Sequence, residues 1–307
     1  MLQKLIDHIY RYPKAKYLAI NRFGGLFSYI KISKGKRNMM KNSYNLLPLT
    51  SSSNGYALYF LTGKKYLYQT IFCIKSLLTV SSEKFKIHLV DDGSFTSLDL
   101  TFIKNKLPCA IIICRNDIEE RLLEILPFEK FPYLHHKRKV YPHIKKLIDV
   151  HIFKENDWKL VLDSDMLFWK EPKEIIDWLK NPTKPLYMKD CEQSYGFDIS
   201  DMEALCNHRI PDKLNVGIIG LKSSRIPWND LELWAKSLEV NYASYYLEQA
   251  LTAMIVAEQG GQCLKSADYI VNPSQNEIEN QVGILHHYVD LSKKGYFEVA
   301  WKNLLNR

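Results

Sequence analysis

The sequence predicts an α/β domain, a mostly parallel central sheet covered by helices on both faces. Three observations predict it. Apolar runs of strand length recur along the chain, segments with helical spacing alternate with them, and two of the runs end in acidic turn sequences, Asp91-Asp92-Gly93 and Asp163-Ser164-Asp165.

Taken in order, "YALYFL" at 56–61 reads as the first strand, and Leu67, Ile71, Ile74 and Leu78 then recur at helical spacing. "KIHLVDDGS" is a second strand closed by a turn, and "CAIIIC" at 109–114 is a third. Val140, Ile144, Leu147 and Ile148 mark a helix leading directly into "WKLVLDSD". Later come the strand "PLYMKD", the apolar strand "LNVGIIGL" at 214–221, and helices around 229–239 and 245–258. The polar span from Asp190 to Lys213 lacks periodicity and reads as a long loop, a feature often functional in a compact domain. Residues 1–55 differ in composition: rich in Lys, Arg and Tyr, broken at Gly24-Gly25 and ended by Ser51-Ser52-Ser53-Asn54-Gly55. They read as a basic N-terminal appendage and linker, helical near 2–10, ahead of the main α/β domain at 56–307.

With 307 residues, 46% hydrophobic and 25% charged, the chain has ordinary globular composition, and its net charge of +8 suits an anionic partner or simple solubility. The six cysteines form no C-x-x-C pair and no zinc spacing, so buried reduced thiols are expected. The first residues contain no continuous apolar signal region, and no stretch reaches the ~18 apolar residues of a membrane span. A cytoplasmic protein is expected. Its basic, aromatic N-terminal segment suits peripheral contact with the anionic inner face of a membrane, and a packed or solvated arm accounts for it equally well. Cations read as scattered, with no stripe and no recognition motif, so no nucleic-acid partner is expected.

The chemistry is concentrated in "LVLDSDMLF". Side chains two apart on a strand leave the same face about 6.6 Å apart, whereas oxygens on opposite sides of Mg²⁺ or Mn²⁺ are about 4.2 Å apart. Bending at the strand end lets Asp163 and Asp165 converge on one ion while the small Ser164 turns elsewhere. Chance produces D-x-D in many chains, so its weight comes from its place at the carboxyl end of a strand, where ligands of such sheets bind. A second stretch, "GILHHYVDLSKKGYF" at 283–297, adds an apolar run ending in His286-His287-Tyr288, with Lys293 six residues after His287. An imidazole suits Mn²⁺ as a further ligand, and a nearby lysine neutralises diphosphate oxygens as a point charge.

With those residues in view, the chain resembles a GT-A nucleotide-sugar glycosyltransferase, most similar to family 8, over about residues 56–297. The stretches that carry the resemblance are "YFLTGKKYLYQTIFCIKSLL", "LVLDSDMLF", "LNVGIIGLKS" and "HHYVDLSK". It implies that Asp163, Asp165 and His287 hold Mn²⁺ or Mg²⁺, that Lys293 contacts the diphosphate, and that Asn215 faces the donor sugar. By the same likeness Glu248, Gln249 and Asp190 form the catalytic set beside the sugar and acceptor, while Thr62, Tyr66 and Ser164 line the donor. The family's arginine before the metal strand corresponds to His143 here, with Arg138 and Lys145 nearby as substitutes on the donor side. Gly63-Lys64-Lys65 replaces the acidic and Asn residues of the family's first loop, and the aromatic cover over the site falls to Tyr296 or Phe297. The implied partners are a nucleoside-diphosphate sugar, a UDP-sugar foremost, and a glycan or glycolipid acceptor, with retention of configuration. Two other classes stay open on the residues alone: a nucleotidyltransferase, of whose Gly-rich basic loop Gly63-Lys64-Lys65 is a thin version, and a catalytically silent sugar-nucleotide receptor.

Overall fold

The structure is a computed structural model that describes residues 11–305; the helix expected at 2–10 lies outside the described residues. The strands are β1 (Tyr56–Thr62), β2 (Phe85–Asp91), β3 (Ile111–Ile113), β4 (Trp158–Leu162), β5 (Met166–Phe168), β6 (Leu186–Lys189), β7 (Leu214–Lys222), β8 (Gln262–Cys263), β9 (Tyr269–Val271) and β10 (Leu285–His287). The helices before the acidic motif are α1 (Tyr12–Arg22), α2 (Leu26–Asn45), α3 (Leu67–Val80), α4 (Ser97–Lys106), α5 (Arg115–Ile125), α6 (Pro132–Val140) and α7 (Lys145–His151). After it come α8 (Lys173–Lys180), α9 (Ile199–Cys206), α10 (Trp228–Leu238), α11 (Leu247–Gln259), α12 (Gln275–Asn280) and α13 (Lys293–Glu298).

Seven strands form one sheet in the order β3-β2-β1-β4-β7-β6-β8, and three form a second in the order β5-β10-β9. The large sheet is parallel from β3 to β4; β7 then runs antiparallel to both of its neighbours. Alternation along the central strands feeds two cores. Tyr59 and Val161 face one side with Ile144, Leu147 and Leu251, and Leu58, Phe60, Leu160 and Leu162 face the other with Ile71, Ile74 and Trp178. Both faces are therefore dry, as the near-continuous apolar strands require.

Local differences from the sequence reading have physical causes. A parallel β2–β3 pair needs a crossover, and α4 supplies it, started by a reciprocal Thr96–Asp99 capping box where a turn alone was expected. The helix expected through Val140 and Ile148 is broken at Pro142, leaving Val140 exposed and α7 starting afresh at Lys145. The span 190–213 contains α9. All six cysteines are free, but Cys109, Cys191 and Cys263 are exposed, contrary to the expectation of burial.

The appendage is partly built into the molecule. Gly24 and Gly25, both at positive φ, turn the chain between α1 and α2, and α2 buries Ile32, Gly35, Met39 and Ser43. Ile32 and Met39 enter a third core with Phe72, Tyr288, Tyr296 and Trp301. A side chain at Gly35 would meet the Phe297 carbonyl at 2.1 Å, so glycine is what lets α2 lie against α13. Tyr296 and Phe297 are buried in that core, which corrects their expected place over the site: they pack inward and cover nothing. Among the described residues no helix is long and apolar enough to cross a membrane.

Two buried histidines link this fold to pH. His151 accepts a hydrogen bond at Nδ1 from Ser223 Oγ (3.0 Å), whose oxygen in turn accepts from the buried Lys159 ammonium at 2.7 Å. His88 stacks on Tyr59 with ring centroids 4.4 Å apart. Burial first, and nearby lysines second, push His88 down to about 4 and His151 to about 3. An unfolded chain takes both protons near pH 6.5 while the folded chain refuses them, so stability is full above that value and falls as pH drops toward 4. Denaturant unfolding should show a loss of up to about 1.4 kcal/mol per pH unit for each ring across that window. His151→Asn should remove about half of the slope, and a flat profile in the parent protein would refute the assignment.

Candidate metal centre

The acidic motif sits where the chain leaves one sheet for the other. Asp163 donates its backbone N–H to Gly217 O (2.8 Å), extending the β4–β7 ladder by one residue. Three residues later β5 begins and pairs antiparallel with β10, with Met166 opposite His287. Tyr288 N–H donates to Asp165 O at 2.9 Å and closes the corner. Two residues far apart in sequence are thereby made neighbours. His287 Nε2 lies 3.6 Å from an Asp163 carboxylate oxygen and 3.4 Å from one of Asp165, and one ligand atom from each of the three falls within 4.8 Å of the others.

The orientation of His287 follows from its other side. Asn215 Oδ1 accepts from Gly217 N–H (2.9 Å), while Asn215 Nδ2 donates to Asp190 Oδ2 (2.9 Å), which settles which amide atom is oxygen. That oxygen then accepts from His287 Nδ1–H at 3.0 Å, leaving Nε2 aimed at the two carboxylates. The two carboxylates and the Nε2 edge of His287 thus converge, an arrangement that needs a positive partner between them, a proton on Nε2 or a bound cation. Two hard oxygen donors and an imidazole suit Mn²⁺ better than Mg²⁺, so the donor set fits a divalent ion. Gly217 is indispensable to this contact, because a Cβ there would sit 2.4 Å from His287 Nδ1. His286, the next residue along the strand, faces the opposite way: its Nδ1 accepts from Trp169 Nε1 (3.0 Å) and its Nε2 donates to Val282 O (2.6 Å).

Cations surround the acids. Lys293 Nζ lies 3.3 Å from Asp165 Oδ2. Burial alone would raise the Asp165 carboxyl, but His287 and Lys293 more than reverse this and hold it well below the usual carboxylate range. Lys146, on α7, is the residue the sequence reading missed. Its buried ammonium donates to Asp163 Oδ1 (2.9 Å) and Val216 O (2.8 Å) and lies 3.7 Å from Glu248 Oε1. Burial pulls that ammonium down, and Asp163 and Glu248 together pull it further up. Burial, reinforced by Asp163 and opposed by Lys146, pushes Glu248 up to about 7.

Other expected site residues divide. Asp190, Asn215 and Gln249 form one network, since Asp190 Oδ2 accepts from both Asn215 (2.9 Å) and Gln249 Nε2 (3.3 Å). Ser164 turns away from the acids into a hydroxyl chain through Thr70 (2.9 Å) to Thr62 (2.8 Å). Tyr66 is exposed, with Lys65 Nζ 5.0 Å from its ring centroid. His143 packs edge-on against Tyr245, ring centroids 4.8 Å apart, and burial followed by Lys146 lowers its basicity. Lys145 Nζ donates to Asp92 O at 2.6 Å. Arg138 is committed elsewhere, gripping the buried Asp149 with two nitrogens (2.5 and 3.0 Å) and Glu119 with a third (2.9 Å).

No protein-family model and no curated protein sequence matches the chain. Solved structures do resemble it. The galactosyltransferase LgtC in complex with donor and acceptor sugar analogues aligns with TM-score 0.51 at 12% identity, over 81% of this chain and 95% of that one. The bifunctional glycosyltransferase WbbM aligns with TM-score 0.52 at 11% identity over 85% of this chain, which spans about half (53%) of that protein's length. At such identities the likeness is one of fold, and the chain has the GT-A fold of these glycosyltransferases.

The second-sphere geometry sets an expectation for metal binding. His287→Ala should weaken Mn²⁺ affinity by about 10–100-fold, and Gly217→Ala should do nearly as much by displacing the same ring. His286→Ala should leave the affinity unchanged. Titration followed by Mn²⁺ paramagnetic resonance separates the three, and equal affinity in all of them would exclude His287 as a ligand.

Proposed function

We propose that the protein is a metal-dependent glycosyltransferase that moves a sugar from a nucleoside-diphosphate sugar, a UDP-sugar foremost, to a glycan or glycolipid acceptor with retention. The observation that carries this reading is the convergence of Asp163, Asp165 and His287 between Lys146 and Lys293, beside a separate amide–carboxylate network. Asp163, Asp165 and His287 hold the divalent ion. When bound, such an ion supplies Lewis-acid stabilisation of the charge that develops on a leaving diphosphate.

The chain's own groups do the rest. Lys293, 40% exposed at its side chain and so able to reach outward, gives the diphosphate a second positive partner. Lys146 fixes Asp163 in place by donating to its Oδ1 from the buried side. Glu248 is turned toward Lys146, so of the Glu248–Gln249 pair it is Gln249 that stands with Asp190 and Asn215 toward the sugar. Those three groups orient the donor ring and the acceptor, and positioning accounts for much of the rate.

A panel of nucleotide sugars with Mn²⁺ tests the reading by release of nucleoside diphosphate. Asp165→Asn should lower that rate by about 100-fold or more while circular dichroism stays native. Gln249→Ala should lower turnover by about 10–100-fold with Mn²⁺ affinity unchanged, separating sugar positioning from ion binding. An unaltered rate in Asp165→Asn, or pyrophosphate release from nucleoside triphosphates in place of donor cleavage, would overturn the proposal.

A further inference from the structure

The positive charge of the chain is not spread over it. Residues 1–47 contain ten of the 42 Lys and Arg but one of the 34 Asp and Glu, which leaves the other 260 residues at a net −1. From Arg11 to Leu47 there are nine cations and no carboxylate.

On α2 the residues at 100° intervals sort into two faces. Ile32, Gly35, Met39 and Ser43 point into the molecule. Phe27, Ile30, Lys34, Arg37 and Lys41, spaced three and four apart, lie on the opposite side, where Phe27 is 84% and Ile30 52% exposed. This corrects the impression of scattered cations: folding gathers them into a stripe with two apolar side chains at one end. α1 continues the surface, since none of its residues is buried and Tyr17 and Leu18 are exposed. A helix with basic residues beside outward aromatic and aliphatic ones suits an interface of anionic headgroups and acyl chains. Nucleic acid would satisfy the cations but would leave Phe27, Ile30 and Leu18 without a partner.

The hairpin adjoins the candidate centre. Arg22, at the end of α1, pairs with Asp290, which lies between His287 and Lys293 in sequence. Gly35 seats α2 directly on α13, whose first residue is Lys293. Lys36, on the flank of α2, is half-buried; burial first, and the charges of Lys65 and Lys293 after it, lower its basicity, as expected for a lysine joining a cationic rim.

We propose that α1 and α2 dock the protein on an anionic lipid bilayer, with Phe27 and Ile30 entering the headgroup region and Lys34, Arg37 and Lys41 pairing with acidic headgroups. Resting on the function proposed above, this places the rim of the site beside the membrane and makes a lipid-borne acceptor the substrate that docking favours.

Full-length protein sedimented with vesicles of phosphatidylcholine, with or without phosphatidylglycerol, tests the docking with no donor present. Binding should require phosphatidylglycerol and weaken with salt. Each cation contributes about fivefold to partitioning, so the combined K34E/R37E/K41E variant should lose about 100-fold or more. Phe27→Ser with Ile30→Ser should weaken binding while keeping its salt dependence. Release of nucleoside diphosphate from a donor in lipid-free solution should be the same for parent and variants, which separates loss of docking from loss of activity. The proposal fails if the parent ignores phosphatidylglycerol, if the charge-reversed variant binds as well as the parent, or if duplex DNA captures the parent more tightly than the vesicles do.

Discussion

The pairing of β5 with β10 is the constraint on which the candidate centre depends. Without it the acids at the end of β4 would face solvent as an ordinary charged turn, and His287, more than a hundred residues away, would have no reason to be near them. With it, Met166 is held opposite His287, and the residues flanking that pair fall into place: the Asp165 carbonyl, before Met166, accepts from the N–H of Tyr288, after His287, and the imidazole hangs over both carboxylates. A one-residue slip would turn His286 to the acids and His287 away from them. Such a slip is opposed because His286 has both ring nitrogens satisfied in the core by Trp169 and Val282. The partners of one histidine therefore set the aim of its neighbour.

Electrostatics then explains why the surrounding cations are placed as they are. Lys146 is buried and commits its hydrogen bonds to Asp163 and the Val216 carbonyl, so it serves as a fixed counter-charge that cannot be lent to a ligand. Lys293 is more exposed and touches Asp165 from the outer side, so it can exchange partners. One lysine stabilises the acids from within the fold and the other faces what arrives. Glu248, pushed up by burial, balances Lys146 from the far side. A buried ammonium flanked by two carboxylates is costly to assemble in a low-dielectric interior, and its survival at the base of the centre is explained by what it holds in place.

Much of this was legible in the sequence wherever the signal was local. The apolar run before Asp163, the acid spacing and the His287 to Lys293 interval needed only neighbouring residues to be read, and the apolar run at 56–61 marked the first strand. What was hidden depended on partners remote in sequence. Lys146 lies next to Lys145 in a helical stretch and reads as solvated charge; only the closeness of α7 to β4 and β7 turns it inward. Gly217 looks like a weak point in an apolar strand, and its meaning appears once His287 occupies the space a Cβ would fill. Tyr296 and Phe297 carry no mark distinguishing an aromatic that covers a site from one that packs beneath it. Arg138 resembled a donor-binding arginine because its acidic partner Asp149, eleven residues on, reads as a surface acid and is in fact fully buried.

The N-terminal helices show how such remote packing joins parts far apart in the chain. To the two cores of the central sheet α2 adds only Tyr44 against Phe102 at the margin, yet it supplies Ile32 and Met39 to a third core that also contains Tyr288, the residue following His287. Tyr288 stacks on Tyr296 with ring centroids 4.6 Å apart, and Tyr296 lies one residue before Phe297, whose carbonyl faces Gly35. The strand that aims the imidazole is thus clamped between β5 on its edge and aromatic packing beneath, and that packing is completed by a helix whose other side is basic. The inner face of α2 and the end of β10 are thus parts of one continuous, closely packed core. A chain with its charge concentrated on that helix therefore connects its surface contacts to its centre through solid core and not through a flexible arm.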